Sequence, residues 1–186
     1  MKVSTRLLAI LLLLALSGCG SEPGSTDAEN TSVPKGDPPF PALGTSWVID
    51  KAGVLDQATI RRCDAICQGL QNAGIAEMVV LVQNGVKHPA DYATHYGRWL
   101  GLGKKGMSTA GGNNGLVWLI RPDADLKMTY SIGRGLPRLT SGHMVDIMNK
   151  AKDYLNFNNY DAGLLVLVQE TDKTLRATYG KKGESK

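Results

Sequence analysis

The residue most plainly placed to do chemistry is the first cysteine. Leu16-Ser17-Gly18-Cys19 closes an unbroken apolar stretch, Leu7 to Leu16, that follows Lys2 and Arg6. A positive start, a short apolar run and small residues make a secretory signal, and the run is too short to span a bilayer. A cysteine in that place is the pattern of the bacterial lipobox, where a thiol takes a diacylglyceryl thioether before the chain is cut. The order predicts a signal peptide over 1–18, with acylation of Cys19 by palmitate-type chains.

The other thiols, Cys63 and Cys67, lie four residues apart. On a helix that spacing puts both on one face with Ile60 and Leu70, and no neighbouring His or Cys completes a zinc set. They are expected to be buried small hydrophobes rather than a redox pair or a nucleophile. His88, His95 and His143 lack metal-ligand spacing, and Asp91 with His95 suits a weak pair on a helix surface. Gly101-Leu102-Gly103-Lys104-Lys105-Gly106 matches G-x-G-x-x-G. A dinucleotide site needs that motif between a strand and a helix. Here it follows a helical segment, so a glycine-capped helix end is expected and no nucleotide. With no G-x-S-x-G and no supported Ser-His-Asp set, no catalytic residue is assigned.

The elements that must position these groups begin after a tether. Residues 19–44 are rich in Gly, Ser, Pro, Thr and acids, a composition expected to stay disordered. Without residues 1–18, Lys+Arg falls from 21 to 19 against 17 acids, so the formal charge drops from +4 to +2. That balance, with no basic run, gives no reason to expect nucleic acid. Residues 45–180 have the size of one domain, and 181–186 form a basic tail.

Within the domain, Trp47–Asp50 reads as a short strand. Asp56 caps a helix carrying Ile60, Cys63, Cys67 and Leu70, which Gly74 stops. Glu77–Val82 and Leu116–Ile120 are nearly continuous apolar runs of strand length, as strands covered on both faces require. Between them Pro89 opens a helix to about Leu100, with Tyr92, Tyr96, Trp99 and Leu100 inward. Leu126–Ile132 is a more polar strand, paired antiparallel with its predecessor through the short Arg121–Asp125 link. A helix from Thr140 or Ser141 to about Leu155 and a last one from Asp161 to about Tyr179 complete the reading. The expected fold class is a three-layer α/β/α sandwich around a mixed sheet of about four strands.

Val48-Ile49-Asp50-Lys51-Ala52-Gly53-Val54-Leu55 resembles the V-x-D-x-A-G-x-L opening of the TPM domain. The likeness continues through Tyr92-Ala93, Trp99-Leu100-Gly101-Leu102-Gly103 and Asn113-Asn114-Gly115-Leu116-Val117. It then takes in Ser131-Ile132-Gly133-Arg134-Gly135-Leu136 and Tyr160-Asp161-Ala162-Gly163. The resemblance implies an α/β/α domain on the non-cytoplasmic side of a membrane. Its relatives include an acid phosphatase-like protein of the thylakoid lumen, calcium-binding bacterial proteins and a receptor accessory protein. The candidate ligand cleft carried over is Asp50, Asn113, Asn114 and Arg134. Two family acids are replaced by Pro137 and Ser141, and the Asp of an Asp-Asn-Gly by Asn113, while Arg134 and Arg138 stand alongside. Calcium needs carboxylates, so only weak calcium binding is expected and no cofactor is assigned.

The expected function is that of an exported lipoprotein, anchored in the cell envelope and binding an envelope protein without catalysis. Gly20 and Ser21, with no aspartate after the lipid site, point to the outer membrane facing the periplasm. The alternative is an acid phosphatase-like hydrolase working through Asp50, Asn113 and Arg134.

Overall fold

Two six-residue strands, Glu77–Val82 (β2) and Gly115–Ile120 (β3), form the middle of the sheet, and every residue in both is buried. The computed structural model describes residues 40–103 and 112–180. Cys19, the signal peptide, most of the tether, Lys104–Gly106 and the basic tail lie outside the described residues. Val48–Asp50 (β1) pairs parallel with β2, β2 parallel with β3, and β3 antiparallel with Met128–Ile132 (β4), in the order β1-β2-β3-β4. The mixed four-stranded sheet expected from the sequence is the one observed, including the β3–β4 hairpin.

Among the described residues four helices cover it: Gln57–Asn72 (α1), Pro89–Leu100 (α2), Ser141–Asn156 (α3) and Tyr160–Tyr179 (α4). On one face Met78, Val80, Val82, Leu116, Trp118 and Ile120 meet Cys63, Cys67 and Leu70 of α1, Met144 and Ile147 of α3, and Leu164, Leu167 and Val168 of α4. On the other face Val79, Leu81, Val117 and Leu119 meet Ala93 and Tyr96 of α2. The two faces alternate residue by residue, as the pleat demands. Each fully buried large apolar side chain stabilises by about 1.5–3 kcal/mol. Trp118 spans both needs of a buried indole: its ring is covered, and its Nε1–H donates to Thr171 Oγ1 at 3.2 Å.

The helix ends follow local rules. Asp56 caps α1 by accepting the Thr59 N–H, which holds its carboxyl below the usual range. Gly101, at φ 68°, ends α2 in the left-handed conformation, with its own N–H and that of Leu102 turned back to Arg98 O and Gly97 O. Thr140 caps α3, and His143 fills the place usually held by Glu or Gln in the reciprocal capping box. The last helix starts one residue earlier than expected, capped by Asn159, and Asp161 instead accepts the Asp56 N–H at 2.9 Å.

Two expectations are corrected. Residues before Thr45 pack on the domain: Phe40 lies edge-on to Tyr92 with centroids 4.9 Å apart, and the Tyr96 hydroxyl donates to Pro41 O at 2.9 Å. A single aromatic among prolines is enough to dock this strap over α2, because α2 offers a row of rings. The surface pair of Asp91 with His95 does not form. The Nε2 of His95 is buried and accepts or donates no hydrogen bond among the described residues.

The sheet has an unusual hand. β1, β2 and β3 run parallel and step in one direction, yet α1 crosses on one face and α2 on the other. Two such crossovers have opposite hand, so one of them is the uncommon left-handed kind.

Candidate functional site

The turn before β3 is built by close backbone approach. Asn113 holds φ 56°, a left-handed conformation that asparagine tolerates better than most residues. Its N–H donates to Gly103 O, its carbonyl accepts from Gly135 N–H at 2.8 Å, and Gly115 O accepts from Gly133 N–H at 2.8 Å. A Cβ on Gly133 or Gly135 would overlap the carbonyl oxygen of Asn113 or Gly112. The glycines of Gly133-Arg134-Gly135 are therefore there to let two loops touch. Asn114 is fully buried, and its Nδ2 donates to Ile75 O at 3.1 Å. Beside it the buried carboxylate of Glu77 accepts the Gly103 N–H.

Arg134 is exposed on the rim of this turn. Arg138 lies with its guanidinium 4.6 Å above the Tyr179 ring, close enough for a cation–π contact. The Tyr179 hydroxyl accepts two backbone N–H groups, from Arg138 at 2.6 Å and Leu139 at 3.0 Å. The end of α4 thus fixes the loop that carries both arginines. Pro137 and Ser141 are exposed in the same loop and at the start of α3.

Asp50 does not join them. It ends β1 opposite Val82, whereas Gly115, which follows Asn114, is opposite Glu77. Five strand steps separate these registers, about 16 Å along β2. Both oxygens of Asp50 are also engaged: Oδ1 accepts from Ala52 N–H at 3.1 Å and Gly53 N–H at 2.8 Å, and Oδ2 from Leu55 N–H at 2.8 Å. The D-x-A-G-x-L stretch is a carboxylate-organised turn. The expected four-residue cleft is therefore two places. Asn113, Asn114 and Arg134 meet at the amino end of β3, while Asp50 shapes a loop at the other end of the sheet.

These donors do not fit a calcium ion. Six to eight oxygens are needed, mostly from carboxylates. Among the described residues the turn offers the Asn113 amide and the Ser141 hydroxyl as neutral side-chain donors, the Glu77 carboxylate beside it is buried and already accepts the Gly103 N–H, and Asp50 is out of reach.

Sequence reasoning missed Asp64. Its carboxylate accepts from Ser46 Oγ at 2.8 Å and from the N–H groups of Trp47 and Val48 at 2.8 and 3.0 Å. It pins the entry of β1 to α1. The Cys63 and Cys67 thiols are free and buried, as expected. Burial, with Asp64 adding to it, pushes Cys63 up to about 12, and burial raises Cys67 in the same sense. Thiols held protonated in this way are poor nucleophiles.

A concavity opens at the carboxyl end of β2. It is a shallow groove of about 540 Å³ between Phe40, Gln83, Val86, His88 and Tyr92. The chain after β1 turns to one face and the chain after β2 to the other, which is how crevices arise at the carboxyl ends of parallel strands.

A three-layer sandwich with a mixed sheet, a carboxylate-organised first turn and a glycine-lined turn before β3 define the class. The chain belongs to the TPM domain family, whose model matches residues 48–174. Among solved structures, the N-terminal domain of a protein from P. gingivalis is similar at a TM-score of 0.63 and 22% identity, over 74% of this chain and 87% of that one. The N-terminal domain of the cg2496 protein from Corynebacterium glutamicum has a TM-score of 0.56 and 16% identity, over 83% and 93%. The BA42 protein from Bizionia argentinensis has 0.50 and 16%, over 66% and 84%. These likenesses concern the fold. No curated protein matches the chain.

Proposed function

We propose that the protein is a lipoprotein of the cell envelope, cut before Cys19 and acylated there, in the outer membrane facing the periplasm. Its TPM domain acts by binding an envelope protein at the Asn113–Arg134 rim, without turnover. One observation carries the second part: the acid that a hydrolase reading needs, Asp50, spends both oxygens on a turn about 16 Å from that rim. The first part rests on Leu16-Ser17-Gly18-Cys19. A fold does not fix an activity, so the residues at the rim decide. Arg134 and Arg138 suit a partner surface bearing carboxylates.

Two measurements on the full chain test this. Mass spectrometry of the mature protein should find acylated Cys19 at its N-terminus, and Cys19→Ala should abolish that form. An unmodified mature N-terminus elsewhere would refute anchoring. In intact envelopes, a photo-crosslinker at Ser141 should trap a discrete protein, and Arg134→Glu should weaken that product several-fold. Hydrolysis of a phosphomonoester by the purified protein, lost on Arg134→Ala, would overturn the binding reading in favour of the acid phosphatase-like one.

A further inference from the structure

Phe157 is 84% exposed and Leu126 62% exposed. Phe157 caps α3 in the tight link to α4, where Asn158 takes the positive φ of 60° and Asn159 caps the next helix. The asparagines make the turn, and nothing local requires an aromatic side chain beside them. Leu126 sits at the tip of the β3–β4 hairpin, where a polar residue would serve equally well. The two lie at one end of the molecule. Tyr160 Oη donates to Asn158 Oδ1 at 2.8 Å and reaches Pro122 O at 3.4 Å, while Lys127 Nζ donates to Pro122 O at 2.6 Å. The α3–α4 link is thereby tied to the hairpin that follows the carboxyl end of β3.

The chain enters the domain at this same end. Phe40 packs on Tyr92 in the first turn of α2, just beyond the carboxyl end of β2. Twenty residues separate Cys19 from Phe40, and a flexible linker of that length spans about 25 Å. α4 runs the other way along the domain, from Tyr160 beside the hairpin to Tyr179 beneath Arg138, about 30 Å at the helical rise. The rim and Phe40 are thus at opposite ends.

We propose that this carboxyl end docks on the phospholipid bilayer through Phe157 and Leu126, so that the Asn113–Arg134 rim points away from the membrane. The inference rests on acylation of Cys19. A tether of this length keeps the domain at an effective concentration near millimolar, so a contact too weak to recruit a free protein is still occupied. Phenylalanine and leucine are suited to the apolar side of the interface. The end also carries Lys51, Lys87 and Lys127 against Asp123 and Asp125. Mixed signs fit a zwitterionic surface and predict little response to salt.

The test uses the full lipidated protein in phosphatidylcholine vesicles containing doxyl-labelled phosphatidylcholine. A bimane is placed at Asp125→Cys or, separately, at Arg134→Cys, since the native Cys63 and Cys67 are buried. Bimane beside Leu126 should be quenched several-fold more than bimane on the rim. The added pair Phe157→Asp and Leu126→Asp should remove the difference. Equal quenching at the two positions, with the protein still floating with the vesicles, overturns docking and leaves anchoring intact. Failure to float, with no acyl mass on Cys19, overturns both.

Discussion

Replacing Asp50 with alanine removes three hydrogen bonds at once, those donated by the N–H groups of Ala52, Gly53 and Leu55. A hydrogen bond to a charged group contributes about 1.5–3 kcal/mol net when sheltered. Gly53 is exposed and its neighbours half-buried, so water takes up part of the loss. The backbone also keeps two bonds of its own, from Lys51 and Ala52 N–H to Val82 O. About 1 kcal/mol for each lost bond gives roughly 2–3 kcal/mol in all. In a domain of this size that lowers the melting temperature by about 6–12 °C. Urea unfolding followed by far-ultraviolet circular dichroism at neutral pH measures it, and Asp50→Asn, which retains one acceptor oxygen, should lose roughly half as much. Crosslinking at the rim should persist, because sites this far apart rarely couple. If Asp50→Ala left stability unchanged within about 0.5 kcal/mol but abolished partner capture, the turn-organising role would be wrong and Asp50 would return as a ligand residue.

Four further outcomes follow from geometry already given. Below the ordinary thiol value of 9.0 the raised Cys63 group adds nothing unfavourable, but between there and about 12 only the unfolded thiol ionises. Stability should fall as pH rises through that window, and Cys63→Ala should blunt the fall measured by thermal melts; an identical alkaline profile in the variant counts against a buried, protonated thiol. Gly135→Ala should cost about 1–3 kcal/mol in urea because its Cβ meets the Gly112 carbonyl, whereas Gly142→Ala, whose Cβ would make only an ordinary contact with Thr140 Oγ1 at 3.7 Å, should cost nothing. Tyr179→Phe should cost about 1–2 kcal/mol and speed hydrogen exchange at the Arg138 and Leu139 amides, and unchanged exchange there would show that the hydroxyl does not hold the loop. Millimolar calcium added to chelator-treated protein should leave the melting temperature almost unchanged; a rise of several degrees would mean that the turn finds oxygens beyond Asn113 and Ser141.

The elements were legible because their signals are local. β2 and β3 are apolar on both faces, so their runs stand out, and the period of Ile60, Cys63, Cys67 and Leu70 marks one side of α1 even though Ile60 is only half-buried. The grouping of Asp50 with Asn113 failed because motif order along a chain says nothing of which strand end a residue occupies. The correction was available in principle: Asp50 ends a strand and Asn113 precedes one. In parallel strands those are opposite ends of the sheet. Phe40 was hidden by prolines and serines around it, since composition averages over a stretch and a docking strap needs one ring. Asp64 was hidden because an acid on a helix reads as solvated, and only the tertiary placement of Ser46, Trp47 and Val48 gives it partners. Tyr179 read as the end of a helix, and its hydroxyl became meaningful only once the Arg138 loop lay against it.

The position of α4 sets the order in which this chain can mature. The last twenty-residue helix supplies Leu164, Leu167, Val168 and Leu175 to the larger core, and Thr171 to the indole of Trp118. Until those residues have been synthesised, α1 and α3 lack the helix that both pack against, and one face of the sheet is only partly covered. The nascent chain therefore carries β1 to β4 for some time without a stable domain, and a ribosome stalled before Leu164 would hold a polypeptide open to proteases.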